Sequence, residues 1–158
     1  MPLSYLLELA TPTSPDDVTN RLRELIPGIS GSGPLFSVPA MNISLRAVDD
    51  SSREVALEVW DLEPTLRVTF HVQSNAPDEE YAAARRDLST ASAALAVQFA
   101  REAVLHFQGD QALLRRRDGV LFLYDWWPEW ADAQVAGRLP QPFETVHGKG
   151  IPTPGHNG

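Results

Sequence analysis

The chain has 158 residues, of which 43% are hydrophobic and 22% charged, and it contains no cysteine. The length is that of one domain, and the lack of cysteine excludes disulfides, thiolate metal sites and a thiol nucleophile. A formal net charge of -8 argues against nucleic-acid binding, because phosphate contacts need a basic surface.

The first residues predict a strand followed by a helix. Over residues 3–10 apolar and polar side chains alternate, which is the period of a strand with one buried face. A typical helix start follows at Ser14-Pro15-Asp16-Asp17: a capping side chain, a proline at the first helical position and two carboxylates at the positive end of the helix dipole. The helix is expected to end at Pro27-Gly28.

The next stretch predicts a loop and three strands. Residues 28–39 are rich in Gly, Ser and Pro, which is typical of a loop. Alternation predicts strands over residues 43–47, 55–59 and 66–72. Between the first two strands, Asp49-Asp50-Ser51-Ser52 predicts a polar turn.

The alternation also predicts how the second and third of these strands pair. The apolar residues are odd-numbered in the strand at 55–59 and even-numbered in the strand at 66–72. If the two strands pair antiparallel with their apolar residues in one core, the numbers of two residues that lie opposite each other must therefore add up to an odd number. One such register places Glu58 opposite Arg67 and Glu54 opposite His71. We therefore expect an exposed ladder of opposite charges on this hairpin.

The second half of the chain predicts a long helix and an antiparallel hairpin. An apolar stripe with many small residues predicts a helix over residues 75–103, followed by a strand at 104–107. Strands at 112–117 and 120–124 are joined by Asp118-Gly119, the two-residue turn favoured in hairpins.

The predicted elements follow the order β-α-β-β-β-α-β-β. Hairpins with only two helices predict an α+β fold, with an antiparallel meandering sheet and both helices packed on one face. We expect a single domain over residues 1–135. Residues 136–158 are rich in Pro and Gly and predict a loosely docked or disordered tail.

The densest group of aromatic and basic residues lies in the hairpin and directly after it. The turn predicts that Arg115 lies opposite Phe122, with Arg117 and Tyr124 on the same face. Arg, Tyr and Trp are enriched at protein-binding hot spots, so this segment is a candidate binding surface. The alternative is that its tryptophans cover the sheet as a second small core: Trp126, Trp127 and Trp130.

No motif indicates an enzyme. The glycines of residues 28–33 match no phosphate loop, the histidines lack metal-ligand spacing, and helix starts and turns explain the paired acids. One arrangement left open is a hydrolase that acts through Asp61, Glu63 and His71. We expect no catalytic residue, no cofactor and no metal.

Two segments resemble those of a known family. The first is Tyr5-Leu6-Leu7-Glu8-Leu9-Ala10-Thr11 with Ser14-Pro15-Asp16-Asp17 after it. The second is Gly109-Asp110 with Leu113-Leu114-Arg115-Arg116-Arg117-Asp118-Gly119-Val120-Leu121-Phe122-Leu123 after it. Over residues 3–130 the chain is similar to the Sit-type immunity family, which protects bacteria against swarm-inhibition toxins, although that family often has Asn-Gly-Glu where this chain has Gln108-Gly109-Asp110. The resemblance implies a non-enzymatic protein, made in the cytoplasm of the toxin's producer, that binds a cognate toxin.

The resemblance and the charge together predict an acidic toxin-binding face. Many toxin domains are basic, and an acidic partner gains association rate by electrostatic steering. The arginine–aromatic segment is the rival face, and it also allows an adaptor or small-molecule site. The candidate residues are Asp49, Asp50, Glu54, Glu58, Asp61 and Glu63 for the acidic face, and Arg115, Arg117, Phe122, Tyr124, Trp126, Trp127 and Trp130 for its rival.

Location and assembly are also predicted. No apolar run reaches the ~18 residues of a membrane span, and the first residues lack the basic and apolar regions of a signal peptide. We therefore expect a cytoplasmic protein without a membrane or nucleic-acid partner. It is expected to be a monomer or a homodimer, in the latter case through an exposed edge strand.

Overall fold

A computed structural model describes residues 2–32 and 34–148. The strands are β1 (Pro2–Ala10), β2 (Ser30–Ser32), β3 (Leu35–Val38), β4 (Met41–Ala47), β5 (Leu66–Gln73), β6 (Glu102–Phe107), β7 (Gln111–Arg117), β8 (Val120–Tyr124) and β9 (Glu144–Val146). The helices are α1 (Pro15–Leu25), α2 (Asp50–Trp60), α3 (Asp78–Phe99) and α4 (Ala133–Ala136), with a 3₁₀ turn at Pro128–Ala131.

These strands form one open sheet in the order β2-β3-β4-β5-β1-β6-β7-β8-β9. All neighbours are antiparallel except β8 and β9. The α+β class predicted from the sequence is therefore confirmed. The N-terminal strand β1 is central, between β5 and β6, so the sheet is not a simple meander.

Helices α1 and α3 pack on one face of the sheet, called the first face here. Ser14 caps α1, its Oγ accepting a hydrogen bond from the Asp17 amide at 3.3 Å, as the sequence predicts. Val18 and Leu22 of α1 are buried, and α3 buries mostly small residues, which lets it lie close to the strands. Leu7 and Leu9 of β1 point into this main core.

Helix α2 corrects the predicted strand at 55–59 and the polar turn before it. Asp49 is the cap of α2, since its carboxylate accepts from the Ser52 amide at 2.7 Å. Ala56 and Trp60, four residues apart, are buried, whereas Val55 and Leu57 are 59% and 45% exposed. The short alternating pattern over 55–59 thus lies on a helix whose buried side faces the sheet's other face, called the second face here.

The predicted charge ladder is wrong for the same reason. In the sheet Arg67 lies opposite Glu8 of β1 on one side and Arg46 of β4 on the other. Glu54 and Glu58 are exposed on α2 instead of pairing across a hairpin. The alternation of residues 66–72 predicts the buried face of β5 correctly. The strands that pair with β5, however, are β1 and β4 and not a strand at 55–59.

The predicted loop at residues 28–39 contains two short strands, β2 and β3. They pair with each other, and β3 continues the sheet from β4. Gly31 allows this edge, because its φ is +112° and an added Cβ would lie 2.4 Å from the Leu35 carbonyl oxygen. The residues of β2 are Ser and Gly, and β3 has only four residues, so no alternating pattern in the sequence indicated these strands.

The C-terminal hairpin β7–β8 forms in the predicted register, with Arg115 opposite Phe122 and Arg116 opposite Leu121. Within the predicted tail, Leu139 is buried and β9 adds to the edge of β8. Residues 149–158 lie outside the described residues. The division of the chain at residue 135 stays a prediction.

Candidate functional site

The outer side of α2 gathers three of the six predicted acidic residues into one ridge. We define the acidic ridge as Asp50, Glu54 and Glu58, which project from the side of α2 opposite the buried Ala56 and Trp60. Asp50 pairs with Arg53 at 2.9 Å. Among the described residues, Glu54 and Glu58 take part in no hydrogen bond or ion pair, so their charges face solvent.

The remaining predicted acids lie at the ends of α2. Hydrogen bonds from Ser52 hold the pKa of Asp49 below its ordinary value. At the other end Asp61 has a left-handed conformation, and its carboxylate accepts from Arg117 at 2.9 Å, which lowers the pKa of that carboxyl. Glu63 follows, exposed, in the connection to β5. Asp49 therefore caps α2 and Asp61 attaches its end to β7, while Glu54 and Glu58 of the acidic ridge keep their charges in solvent.

The arginines of the hairpin are used within the fold. Arg115 donates to the carbonyl oxygen of Trp60, the last residue of α2. Arg117 donates to both the carboxylate and the carbonyl of Asp61, at 2.9 Å each. Arg115 and Arg117 thus attach the C-terminal end of α2 to β7. The arginines of the rival arginine–aromatic surface are therefore bonded to the helix that carries the acidic ridge.

The indole N–H of each of the three neighbouring tryptophans donates a hydrogen bond to another group of the protein. Trp126 donates to the Ala112 carbonyl at 2.7 Å, Trp127 to the Ser89 hydroxyl at 2.8 Å and Trp130 to the Leu113 carbonyl at 2.8 Å. Trp127 and Trp130 are buried and belong to the main core, and Trp126 is half-buried against it. Phe122 and Tyr124 are also half-buried.

The Trp127 hydrogen bond gives a first testable prediction. Trp127 is 3% exposed, and its ring also lies under the Arg85 guanidinium at 4.3 Å. Trp127→Phe is expected to lower the free energy of unfolding by about 2–3 kcal/mol, because it removes buried volume and a buried hydrogen bond. Chemical denaturation measures this, with Trp126→Phe as the control, for which a smaller loss of about 1 kcal/mol is expected. Equal losses in the two variants would contradict the assignment.

A buried polar cluster that the sequence did not indicate lies under α2. Glu8 accepts from Arg67 Nε at 2.9 Å and from His106 Nε2 at 3.1 Å. The other imidazole nitrogen, Nδ1, accepts from the Gly109 amide at 3.1 Å, which sets the tautomer with the proton on Nε2. Trp60 stacks on the imidazole, with ring centroids 5.1 Å apart.

This cluster borders a cleft of about 290 Å³ between α2 and the second face. Both nitrogens of His106 are occupied, and both carboxylate oxygens of Glu8 are bonded. A general base needs a free lone pair, and the imidazole of His106 has none, since Nε2 donates and Nδ1 accepts. The cluster's evident role is to join β1, β5 and β6 beneath α2.

The residues of the hydrolase arrangement are not brought together. Asp61 bonds to Arg117 of β7, whereas His71 lies on β5 and its Nδ1 is 3.1 Å from the Ser4 hydroxyl. Two strands separate β5 from β7, which corresponds to roughly 14 Å. Among residues 2–32 and 34–148, no three His, Asp or Glu side chains gather closely enough to hold a metal ion.

Comparison with known proteins gives one match. A family model described as SitI3-like matches residues 3–134. No curated protein and no solved structure matches the chain. None of the helices in the described part of the chain has the length and apolar character needed to cross a bilayer.

Proposed function

Since the chain belongs to the SitI3-like family, we propose that it is a non-enzymatic immunity-type protein that binds and neutralises a cognate bacterial toxin. The observation that supports a binding role most directly is the acidic ridge. Within residues 2–32 and 34–148, two of its carboxylates have no partner, and they lie on a helix that is capped at its start and attached to β7 at its end. A rigid, charged helix face is suited to recognition, because little conformational freedom is lost when a partner binds.

Electrostatics favours a basic partner for this ridge. The chain has 21 acidic and 13 basic residues, so its overall field attracts a basic domain before contact. Many toxins act on nucleic acids or other anionic substrates with basic active sites, and an acidic helix face placed there would block the substrate. We expect the protein to act in the cytoplasm of the cell that makes the toxin.

The arginine–aromatic segment supports the alternative, an adaptor or small-molecule module, less well. The cavity beside Trp127 and Trp130 has a volume of about 140 Å³, below the ~300 Å³ at which ligand pockets begin. The three indole N–H groups already donate to protein acceptors. A ligand there would have few polar groups to recognise.

The proposal is tested with a toxin domain encoded next to the gene of this protein. Calorimetric titration is expected to give a 1:1 complex whose association rate and affinity fall as salt is added. A growth assay with co-expressed toxin checks neutralisation. If the domain is toxic, and the complex fails to form at low salt, the proposal is wrong for that toxin.

Charge reversal on the ridge identifies the face. The double variant Glu54→Lys/Glu58→Lys is expected to weaken toxin binding by about tenfold or more, because two attractive contacts become repulsive. The matched control is Glu24→Lys/Glu144→Lys, which changes the net charge equally at exposed positions on α1 and β9. An equal loss in both variants would mean that only net charge matters, and a loss in neither would place the toxin on another surface.

A further inference from the structure

The second face of the sheet is covered on one half only. Helix α2 lies over the half formed by β1, β6 and β7, where Trp60 packs on Val104 and Ala112. The other half, called the bare half here, consists of the second-face side chains of β3, β4 and β5. There Leu35 is 64% exposed, Asn42 and Arg46 are exposed, and a groove of about 740 Å³ runs across the strands.

The bare half has the opposite charge to the rest of the molecule. Arg46 and His71 line the groove, and none of the described residues that line it is Asp or Glu. Arg46 makes none of the salt bridges found among the described residues, and it lies directly opposite a second arginine, Arg67. Arg67 is paired with Glu8 at 2.9 Å, whereas Arg46 is exposed beside the groove with only the longer-range field of Asp49, so a partner's carboxylate can pair with Arg46 directly.

The bare half also carries ordered polar groups. The strand register aligns Ser37, Asn42, His71 and Ser4 in a row across β3, β4, β5 and β1. In the next row Leu35 lies opposite Ser44. The groove thus presents hydrogen-bonding groups along one side, a cation at its end and an exposed leucine at the edge of the sheet.

The element that complements this groove is α2 itself. Its ridge carries the free carboxylates Glu54 and Glu58, and its flank carries Val55, which is 59% exposed and lines the cleft beside Leu6. An 11-residue helix is roughly 16 Å long, which is comparable to the width of roughly 14 Å that the three strands β3, β4 and β5 span. The acidic ridge of α2 and the groove with Arg46 therefore lie next to each other on the second face of the sheet.

We propose that two copies of this chain form a twofold symmetric dimer through their second faces. In it the α2 helix of each copy lies in the bare groove of the other, with Glu54 and Glu58 facing Arg46. Val55 and Leu35 are covered in the same step. Each chain carries both the acidic ridge and the groove that complements it. A twofold axis therefore pairs the ridge of each chain with the groove of the other, and the assembly closes at two chains.

The dimer does not depend on the proposed function, because it forms without any toxin. Both use the acidic ridge, however, so toxin and second copy compete for it. Adding the toxin domain is expected to convert the dimer into the 1:1 complex. A stable complex of two chains with two toxins would leave the dimer intact and place the toxin elsewhere.

The first test is the molar mass in solution, measured by light scattering during size-exclusion chromatography over a range of concentrations. At low salt we expect twice the 17.4 kDa of one chain, and at high salt a shift towards the monomer. A mass of one chain at all concentrations and at low salt would overturn the proposal.

A charge swap then tests the geometry. Arg46→Glu and Glu54→Lys/Glu58→Lys are each expected to be monomeric, with the dimer dissociation constant raised about tenfold or more. Mixing the two restores both contacts, since each ridge then meets a groove of opposite charge, and a heterodimer is expected. Circular dichroism checks that both variants fold, and Glu24→Lys/Glu144→Lys should remain dimeric. A dimer that neither variant weakens would refute this interface.

Discussion

Replacing Glu8 by Gln is expected to lower the free energy of unfolding by about 3 kcal/mol or more at neutral pH. Glu8 is only 2% exposed and holds Arg67 and His106 through its two carboxylate oxygens. The amide of Gln has the shape of the carboxyl group but lacks the negative charge that balances Arg67. In addition, its NH₂ group would face a hydrogen-bond donor, Arg67 or His106, where the carboxylate presents an acceptor. Urea denaturation measures the loss. The matched control is Glu58→Gln on the acidic ridge, for which a change within about 0.5 kcal/mol is expected.

The same residue predicts how stability depends on pH. Burial alone would raise the pKa of Glu8, but the hydrogen bonds from His106 and Arg67, with the charge of Arg67, outweigh it and leave that pKa below its ordinary 4.5. A lowered folded-state pKa contributes stability above the unfolded pKa, and this stability is lost as pH falls through the folded value. The difference between the wild type and Glu8→Gln is therefore expected to be largest near neutral pH and to shrink below about pH 4. A difference that does not change with pH would contradict the charged cluster.

Replacing Arg116 by Met is expected to lower the free energy of unfolding by about 2–4 kcal/mol. Arg116 lies on the first face of β7, and its Nη1 donates to the carbonyls of Ala96, Val97 and Ala100 at 2.7–3.1 Å. Nη2 donates to Gly119 at 3.1 Å. The last turn of α3 contains no basic residue of its own, so this arginine supplies the cation that a helix C-terminus favours.

Methionine retains most of the apolar stem but removes the guanidinium donor from all these carbonyls, of which only that of Ala96 keeps a backbone donor, the Ala100 amide, among the hydrogen bonds of the described residues. Thermal and urea unfolding measure the stability, and amide exchange near the end of α3 should become faster. Arg116→Lys is expected to recover part of the loss, because one ammonium satisfies fewer carbonyls than the guanidinium. The control is Arg138→Met, at an exposed position after α4. If Arg116→Met were as stable as this control, the capping role would be refuted.

The elements that the sequence predicted well are those with strong local signals. The cap and proline at Ser14-Pro15 begin α1, the Asp118-Gly119 turn sets the hairpin register, and the alternation of β5 sets its buried face. The strands β2 and β3 were missed because β2 consists of Ser and Gly, and because the four residues of β3 are too few for an alternating pattern within a stretch rich in Gly, Ser and Pro. Helix α2 was missed because three alternating apolar residues fit a strand as well as an amphipathic helix.

The acidic residues stay a proposed binding face, and the sequence did not predict their arrangement. A strand at 55–59 with its flanking turns would have spread them along an extended segment, whereas α2 places Glu54 and Glu58 one turn apart. The Glu8 cluster joins residues 59 and 98 positions apart, and such contacts depend on strand order, which no local pattern encodes. The bare half could not be predicted either, because its side chains come from β3, β4 and β5, and only the pairing of these strands places them side by side.

The central place of β1 has a consequence for the synthesis of the protein on the ribosome. This strand is translated before its two neighbours, β5 and β6, which end only at residues 73 and 107. At roughly 5–20 residues per second the nascent chain holds an apolar strand without partners for several seconds. Sheet formation dominated by such distant pairings is slow, so the protein is expected to complete its fold only after most of it has left the exit tunnel. During that interval β1 is the segment for which a chaperone is most needed.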